Sequence, residues 1–198
     1  PPPSPGELRA RPLDVQASLD AVASGQIPGL KGLRTDRVTM IGHSWGATTA
    51  LQLGGARPTD QQLLKRCQNL SDPARNISWV LQCSFLSSAD QASLADPRIT
   101  NVIAVSPVVS LLFDPTRVDS NLKAHTVIVS GANDWVAPSG PEAIAPFQAH
   151  GNPVQHLVLV DKGDHFNLRR GSGEGGGPLR GLMLAWISQG QLPASGWQ

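Results

Sequence analysis

No apolar run in this chain approaches the roughly 18–20 residues that a helix needs to cross a bilayer, so the sequence offers no transmembrane segment. Charge is also scarce. Asp, Glu, Lys and Arg make up 16% of the 198 residues and the formal net charge is +1, which gives no basis for a nucleic-acid or polyanion partner. The start, PPPSPGELRARP, lacks the basic and apolar regions of a secretory signal, although removal of one by processing would leave the same start. Only two cysteines occur, Cys67 and Cys83, and their spacing fits neither a zinc site nor a CxxC motif. A disulfide and two free thiols are both open readings. The first implies a secreted or periplasmic protein, the second a cytoplasmic one. No His/Asp/Cys set has ligand spacing, so the sequence gives no support for a metal site.

Glycine (20) and proline (17) are plentiful, yet apolar residues reach 40%, and the length suits one domain with a sizeable core. Leu8, Pro12, Val15, Leu19 and Val22 recur at steps of four and three, the period of an amphipathic helix. SGQIPGLKGLR reads as a loop. Val38–Ile41 reads as a buried strand and Trp45–Leu53 as a helix, in which Ala47, Ala50 and Gly54 allow a close approach to a sheet. From Arg57 to Asp96 the periodicity breaks down. That stretch, holding both cysteines, Trp79 and Phe85, reads as a cap-like insert of short helices. Short apolar strands follow at Ile99–Val105, Thr126–Val129 and His156–Val160, with room for a helix over Gly140–His150. The last helix, Pro178–Gln189, sets Leu179, Leu182, Met183, Trp186 and Ile187 on one face, after a GSGEGGG segment that reads as flexible or as a tight turn. The alternation predicts an α/β fold, a mostly parallel sheet with helices on both faces, in one domain covering residues 1–198.

Between the strand ending at Ile41 and the helix from Trp45 lies Gly42-His43-Ser44-Trp45-Gly46, a G-x-S-x-G corner. A turn this tight from strand to helix holds its central residue in strain, and its neighbours two positions away must be small. It pushes the Ser44 hydroxyl out above the sheet and places the Trp45 N–H at a helix N-terminus, where it can donate to a developing oxyanion. A strand before the motif and a small-residue helix after it make the match far more specific than the bare pattern.

Serine alone is a poor nucleophile, so a base and an orienting acid should follow. Asp134 stands just past the strand VIVS, and His165 stands in the loop after HLVLV, in the order Ser, Asp, His. Both lie where ligands bind in open α/β sheets. Asp164 is the alternative acid. His43, His125, His150 and His156 are weaker candidates for the base, His43 because it points to the wrong side of the corner.

GHSWGATTA, LADPRITNVIAVSP, VIVSGANDWVAP and DKGDHFNL together resemble the α/β-hydrolase superfamily, and in particular the bacterial dienelactone-hydrolase-related and platelet-activating-factor-acetylhydrolase-like esterases. The likeness runs from about Arg11 to His165. It implies Ser44 as nucleophile, Asp134 as acid, His165 as base and the Trp45 N–H as one oxyanion donor. Dienelactone hydrolases carry cysteine as nucleophile; serine here points to hydrolysis of ordinary carboxylic esters, small or lipid-like, without a cofactor. Cutinase-like polyester hydrolases share a similar GHSxG, and a thioesterase or amidase stands close by.

The resemblance also departs. In the superfamily several strands precede the serine, and a loop among them, often with an HG motif, gives the second oxyanion donor. Upstream of Val38 this sequence shows one helix and a loop, and no HG. The expectation is the C-terminal part of a hydrolase, either a piece of a longer chain or a reduced form. Such a chain would self-associate along the strand bearing the serine, or be complemented there by the missing N-terminal strands. The rival reading is a non-catalytic module derived from a hydrolase, binding a partner without a complete oxyanion hole.

Overall fold

The computed structural model describes residues 3–89, 92–113, 122–150, 155–166 and 179–189. Its elements in chain order are α1 (Glu7–Ala23), β1 (Val38–His43), α2 (Trp45–Gly54), α3 (Gln61–Arg66), α4 (Ile77–Gln82), β2 (Ile99–Val105), β3 (His125–Gly131), α5 (Ala145–His150), β4 (Gln155–Val160) and α6 (Leu179–Gln189). The strands form one parallel sheet in the order β1-β2-β3-β4, with Ile41 beside Ile103, Ile103 beside Val127 and Val127 beside His156. Because every strand runs the same way, the loop after each strand emerges at the same carboxyl edge.

Both faces of the sheet are covered, which is why its strands read as continuous apolar runs. Side chains alternate across a strand. Val102, Ala104 and Ile128 join the larger core with Leu8 of α1, Ala47, Ala50 and Leu53 of α2, and Leu63, Trp79 and Phe85 of the insert. Ile103, Val105, Val127 and Val129 face the other way, onto Leu182 and Trp186 of α6. The small-residue stripe of α2 works as its sequence implies: a side chain at Gly54 would meet Val102 at 3.0 Å.

Inside α1, Pro12 has no N–H to give to the Leu8 carbonyl four residues back. That orphaned acceptor is met from outside, by the buried Gln52 side chain of α2 at 3.0 Å. The amphipathic helix expected over Leu8–Val22 is thus locked to α2 by the proline that would otherwise weaken it.

The insert holds α3, α4 and a 3₁₀ turn at Cys83–Phe85. Asn76 caps α4 by accepting the Trp79 N–H at 3.0 Å. Cys67 and Cys83 form a disulfide, resolving the alternative that the sequence left open. At its far end, buried Asp96 pairs with Arg98, which also reaches Asp20 of α1 at 2.7 Å.

Two expectations need revision. The helix over Gly140–His150 is not uniform: Gly140–Ile144 is a π-helical turn in which the Ala145 N–H reaches back to the Gly140 carbonyl, and α5 follows. Pro141 and Pro146 lack the N–H groups that a regular ladder would use there. On α6, Leu182 and Trp186 are fully buried but Ile187 is 49% exposed. At roughly 100° per residue, Ile187 lies about 140° round the helix from Leu182, outside the packed stripe. The GSGEGGG segment and Pro178 lie outside the described residues.

Candidate active site

β1 ends at His43 and α2 begins at Trp45, leaving Ser44 alone to turn the chain. Its backbone sits at φ 55° and ψ −121°, a region costing a residue with a side chain about 1–3 kcal/mol. Three hydrogen bonds hold it there. The Ser44 N–H donates to the Val105 carbonyl at 2.9 Å, and its own carbonyl accepts from Ala47 at 2.9 Å and Thr48 at 3.2 Å. The hydroxyl makes no capping bond to α2, although serine is a favoured capping residue.

The two glycines of the motif are not equivalent. A Cβ at Gly42 would lie 2.0 Å from the Gly46 carbonyl oxygen, whereas one at Gly46 would meet nothing within 4 Å beyond its chain neighbours and its own helix. Smallness is therefore required on the strand side of the corner, where the backbone of α2 folds back, and not on the helix side as the motif suggests. The Trp45 N–H is the first of α2 and so has no acceptor within the helix. The Trp45 ring meets Phe85 of the insert edge-on, with centroids 5.0 Å apart.

Asp134 follows β3 by three residues and is 5% exposed. One carboxylate oxygen accepts the N–H groups of Val136 and Ala137 at 3.0 and 2.8 Å; the other meets His165 Nδ1 at 2.8 Å. Burial pushes the Asp134 carboxyl upward, but the hydrogen bonds from His165 and Ala137 outweigh it and hold the group below the usual carboxylate range. Ser106, buried after β2 at φ 46°, adds to that lowering, while its hydroxyl lies outside hydrogen-bond geometry with any described partner.

His165 is 4% exposed. With the Asp134 carboxylate as acceptor, Nδ1 carries the proton and Nε2 is left as the basic nitrogen. The loop that presents it is bound tightly to the loop after β3. The Asn133 N–H donates to the Gly163 carbonyl at 2.8 Å, and a Cβ on Gly131 would lie 2.3 Å from that same oxygen. Asp164, the alternative acid, accepts the Phe166 N–H at 2.7 Å, and it is Asp134 that meets the imidazole.

The structure thus gathers the residues singled out in the sequence at one end of the sheet: Ser44 after β1, Asp134 after β3, His165 after β4. The His43 ring packs 4.7 Å from that of His165, bringing the corner beside the imidazole. Exposed Trp135 and Phe166 flank the pair with ring centroids 6.3 Å apart. The other histidines lie elsewhere. His125 lines a cleft of about 560 Å³ at the opposite end of the strands, with Lys123, Thr100 and Asp96, and His156 packs edge-on against Trp186. Nothing is described of the His150 side chain. Among the described residues no group of His, Cys, Asp or Glu is arranged to hold a metal ion.

A buried polar cluster escaped sequence reasoning. Glu142, fully buried, accepts the N–H groups of Val109 and Ser110 at 2.7 and 2.8 Å, the Ser110 hydroxyl at 2.6 Å and the Gln82 amide at 3.1 Å. Gln82 in turn accepts the Leu111 N–H at 2.7 Å. Burial drives the Glu142 carboxyl above its ordinary range, against these donors. The cluster ties the insert, the loop after β2 and the π turn together. A lone acid inside GPEAIAPF was the one signal that could have found it.

No protein-family model matches the chain, and no curated protein matches it. Among solved structures it is similar to an acylaminoacyl peptidase of Pyrococcus horikoshii, at 13% identity and a TM-score of 0.40, over 79% of this chain and 23% of that one. The chain spans less than a quarter of that protein's length.

Proposed function

We propose that this chain is a serine hydrolase of the α/β-hydrolase type, acting on carboxylic esters through Ser44, His165 and Asp134. The observation that carries the reading is the strained serine at a strand–helix corner, at the same end of the sheet as a buried Asp134–His165 pair. In this reading His165 takes the Ser44 proton through Nε2 as the hydroxyl oxygen attacks the ester carbonyl. The Trp45 N–H, with a second donor outside the recognised motifs, stabilises the tetrahedral oxyanion. His165 then gives the proton to the departing alkoxide, leaving an acyl-Ser44. Water attacks the acyl group with His165 again as base, releasing the acid. Asp134 holds the tautomer and stabilises the imidazolium.

The residues around the pair favour an apolar or lipid-like ester, because exposed Trp135 and Phe166 stand next to Asp134 and His165. The insert at 57–96 serves as a cap on one domain, touching the corner through Phe85. The Cys67–Cys83 disulfide fits an oxidising compartment, secreted or periplasmic.

A fluorophosphonate probe should label Ser44, and a short p-nitrophenyl ester should be turned over. Ser44→Ala should lose both, and His165→Ala should lose turnover by several orders of magnitude, because the three residues act as a unit. Labelling without turnover would favour the non-catalytic reading, in which the second oxyanion donor is missing. Turnover that survives Ser44→Ala would end the proposal.

A further inference from the structure

The sequence discounts His43 because it points away from the reacting side of the corner. Its Nε2 lies 2.8 Å from the main-chain carbonyl oxygen of His165. A carbonyl can only accept, so His43 Nε2 carries the proton and donates. The two residues are 122 apart in sequence. His43 ends β1 and His165 follows β4, the two edge strands of the described sheet, with β2 and β3 between them.

Other ties in and around the His165 loop run toward β3. Val160 accepts the Ala132 N–H at 3.0 Å, Gly163 accepts that of Asn133, and Asp134 takes the His165 ring. These fix the loop on the side of the acid and say nothing about where it lies relative to Ser44. The bond from His43 reaches β1, and it starts from the residue next to the serine. The two imidazoles also pack at 54° to each other, so the contact has a shape as well as a hydrogen bond.

We propose that His43 is a positioning residue: its Nε2–H, held on the His165 carbonyl oxygen, fixes the His165 loop to the nucleophile corner. The proposal rests on the roles given above to Ser44 and His165, and it assigns His43 no proton transfer. A misplacement of about 1 Å at a reacting group can cost 10²-fold in rate, so a single anchor of this kind can matter.

Two substitutions in the full chain separate the hydrogen bond from the packing. His43→Leu keeps bulk and removes the donor; His43→Gln can return an amide N–H to roughly the position of Nε2. The leucine variant should lose about 10- to 100-fold in kcat with little change in KM, and glutamine should recover most of it. Proton NMR gives a second reading that needs no turnover. The downfield Nδ1–H of His165, which reports its bond to Asp134, should broaden or vanish in His43→Leu and persist in His43→Gln. In the unsubstituted protein, histidine nitrogen spectra at about pH 8, where imidazole is neutral, should place the His43 proton on Nε2.

A proton on Nδ1 instead would overturn the proposal with no variant at all, including where His43→Leu fails to fold. So would a folded leucine variant that keeps both the rate and the resonance, or a glutamine variant as impaired as the leucine one. Absence of ester turnover in the unsubstituted chain would sink the proposed function instead, and the NMR outcomes would still decide the role of His43.

Discussion

At the scale of single residues, the two carboxylates near His165 offer the sharpest contrast. Asp134 is buried and bonded to Nδ1, whereas Asp164 is half-buried and bonded to a backbone N–H two residues on. If Asp134 orients the imidazole, Asp134→Asn should lower kcat about 10⁴-fold with its geometry intact, while Asp164→Asn should leave most activity. Steady-state kinetics on both variants checks this, and the opposite ranking would move the acid to Asp164. The glycines give a second contrast. Gly42→Ala drives a methyl group into the Gly46 carbonyl and should destabilise by about 3 kcal/mol or more, since overpacking a tight site forces the backbone to move. Gly46→Ala should be tolerated or slightly stabilising, by up to about 1 kcal/mol, because alanine is the better helix former. Urea unfolding of the two variants measures both. The places of Ser44, Asp134 and His165 at the carboxyl edge of the sheet were legible because each follows a strand that announces itself. The unequal demands on the glycines were not, because the motif records only that both are small and not what stands against them.

At the scale of elements, the strands and long helices were legible to within one or two residues, since a sheet buried on both faces needs continuous apolar runs. The stretch 57–96 was legible as short helices, but not how they are held. Its order comes from contacts between residues far apart, such as Gln82 with Glu142, and from the disulfide, and periodicity carries neither. The disulfide closes a loop of 16 residues lying wholly within the insert. A loop of that size is worth about 3 kcal/mol in the chain-entropy account. Replacing Cys67 and Cys83 by alanine should therefore loosen the stretch 57–96 and, if it caps the site as proposed, shift the preference among esters of different chain length, while the sheet still unfolds cooperatively. Comparing kcat/KM across a p-nitrophenyl ester series with circular dichroism melting tests this. Collapse of the sheet together with the cap would show that the insert is part of the core's stability. Thiol titration of the denatured, unreduced chain should find no free thiol; a count of two would remove the bridge.

At the scale of the whole molecule, β1 is an edge of the sheet among the described residues, pairing only with β2. Val38 and Ser44 turn their N–H groups onto Arg98 and Val105, so the alternate residues Thr39 and Ile41 turn theirs outward, and the Ile41 side chain is 41% exposed. An apolar edge of this kind invites strand pairing between copies. Light scattering on these 198 residues should find self-association, and Ile41→Lys should reduce it, since charge on an edge strand opposes pairing. A monomer with full ester turnover would mean that the edge is covered in another way. The link between His43 and His165 carries a last consequence, for the order of events as the chain folds. Contacts between residues so distant in sequence form late, because the entropy of closing a long loop must be met before the contact rewards it. The corner can bend as soon as β1 and β2 pair, but His165 cannot reach it until β3 and β4 have joined in turn. After dilution from denaturant, ester turnover should therefore return no earlier than the signal of β4 docking, with the chain nearly native and still inactive just before that last closure.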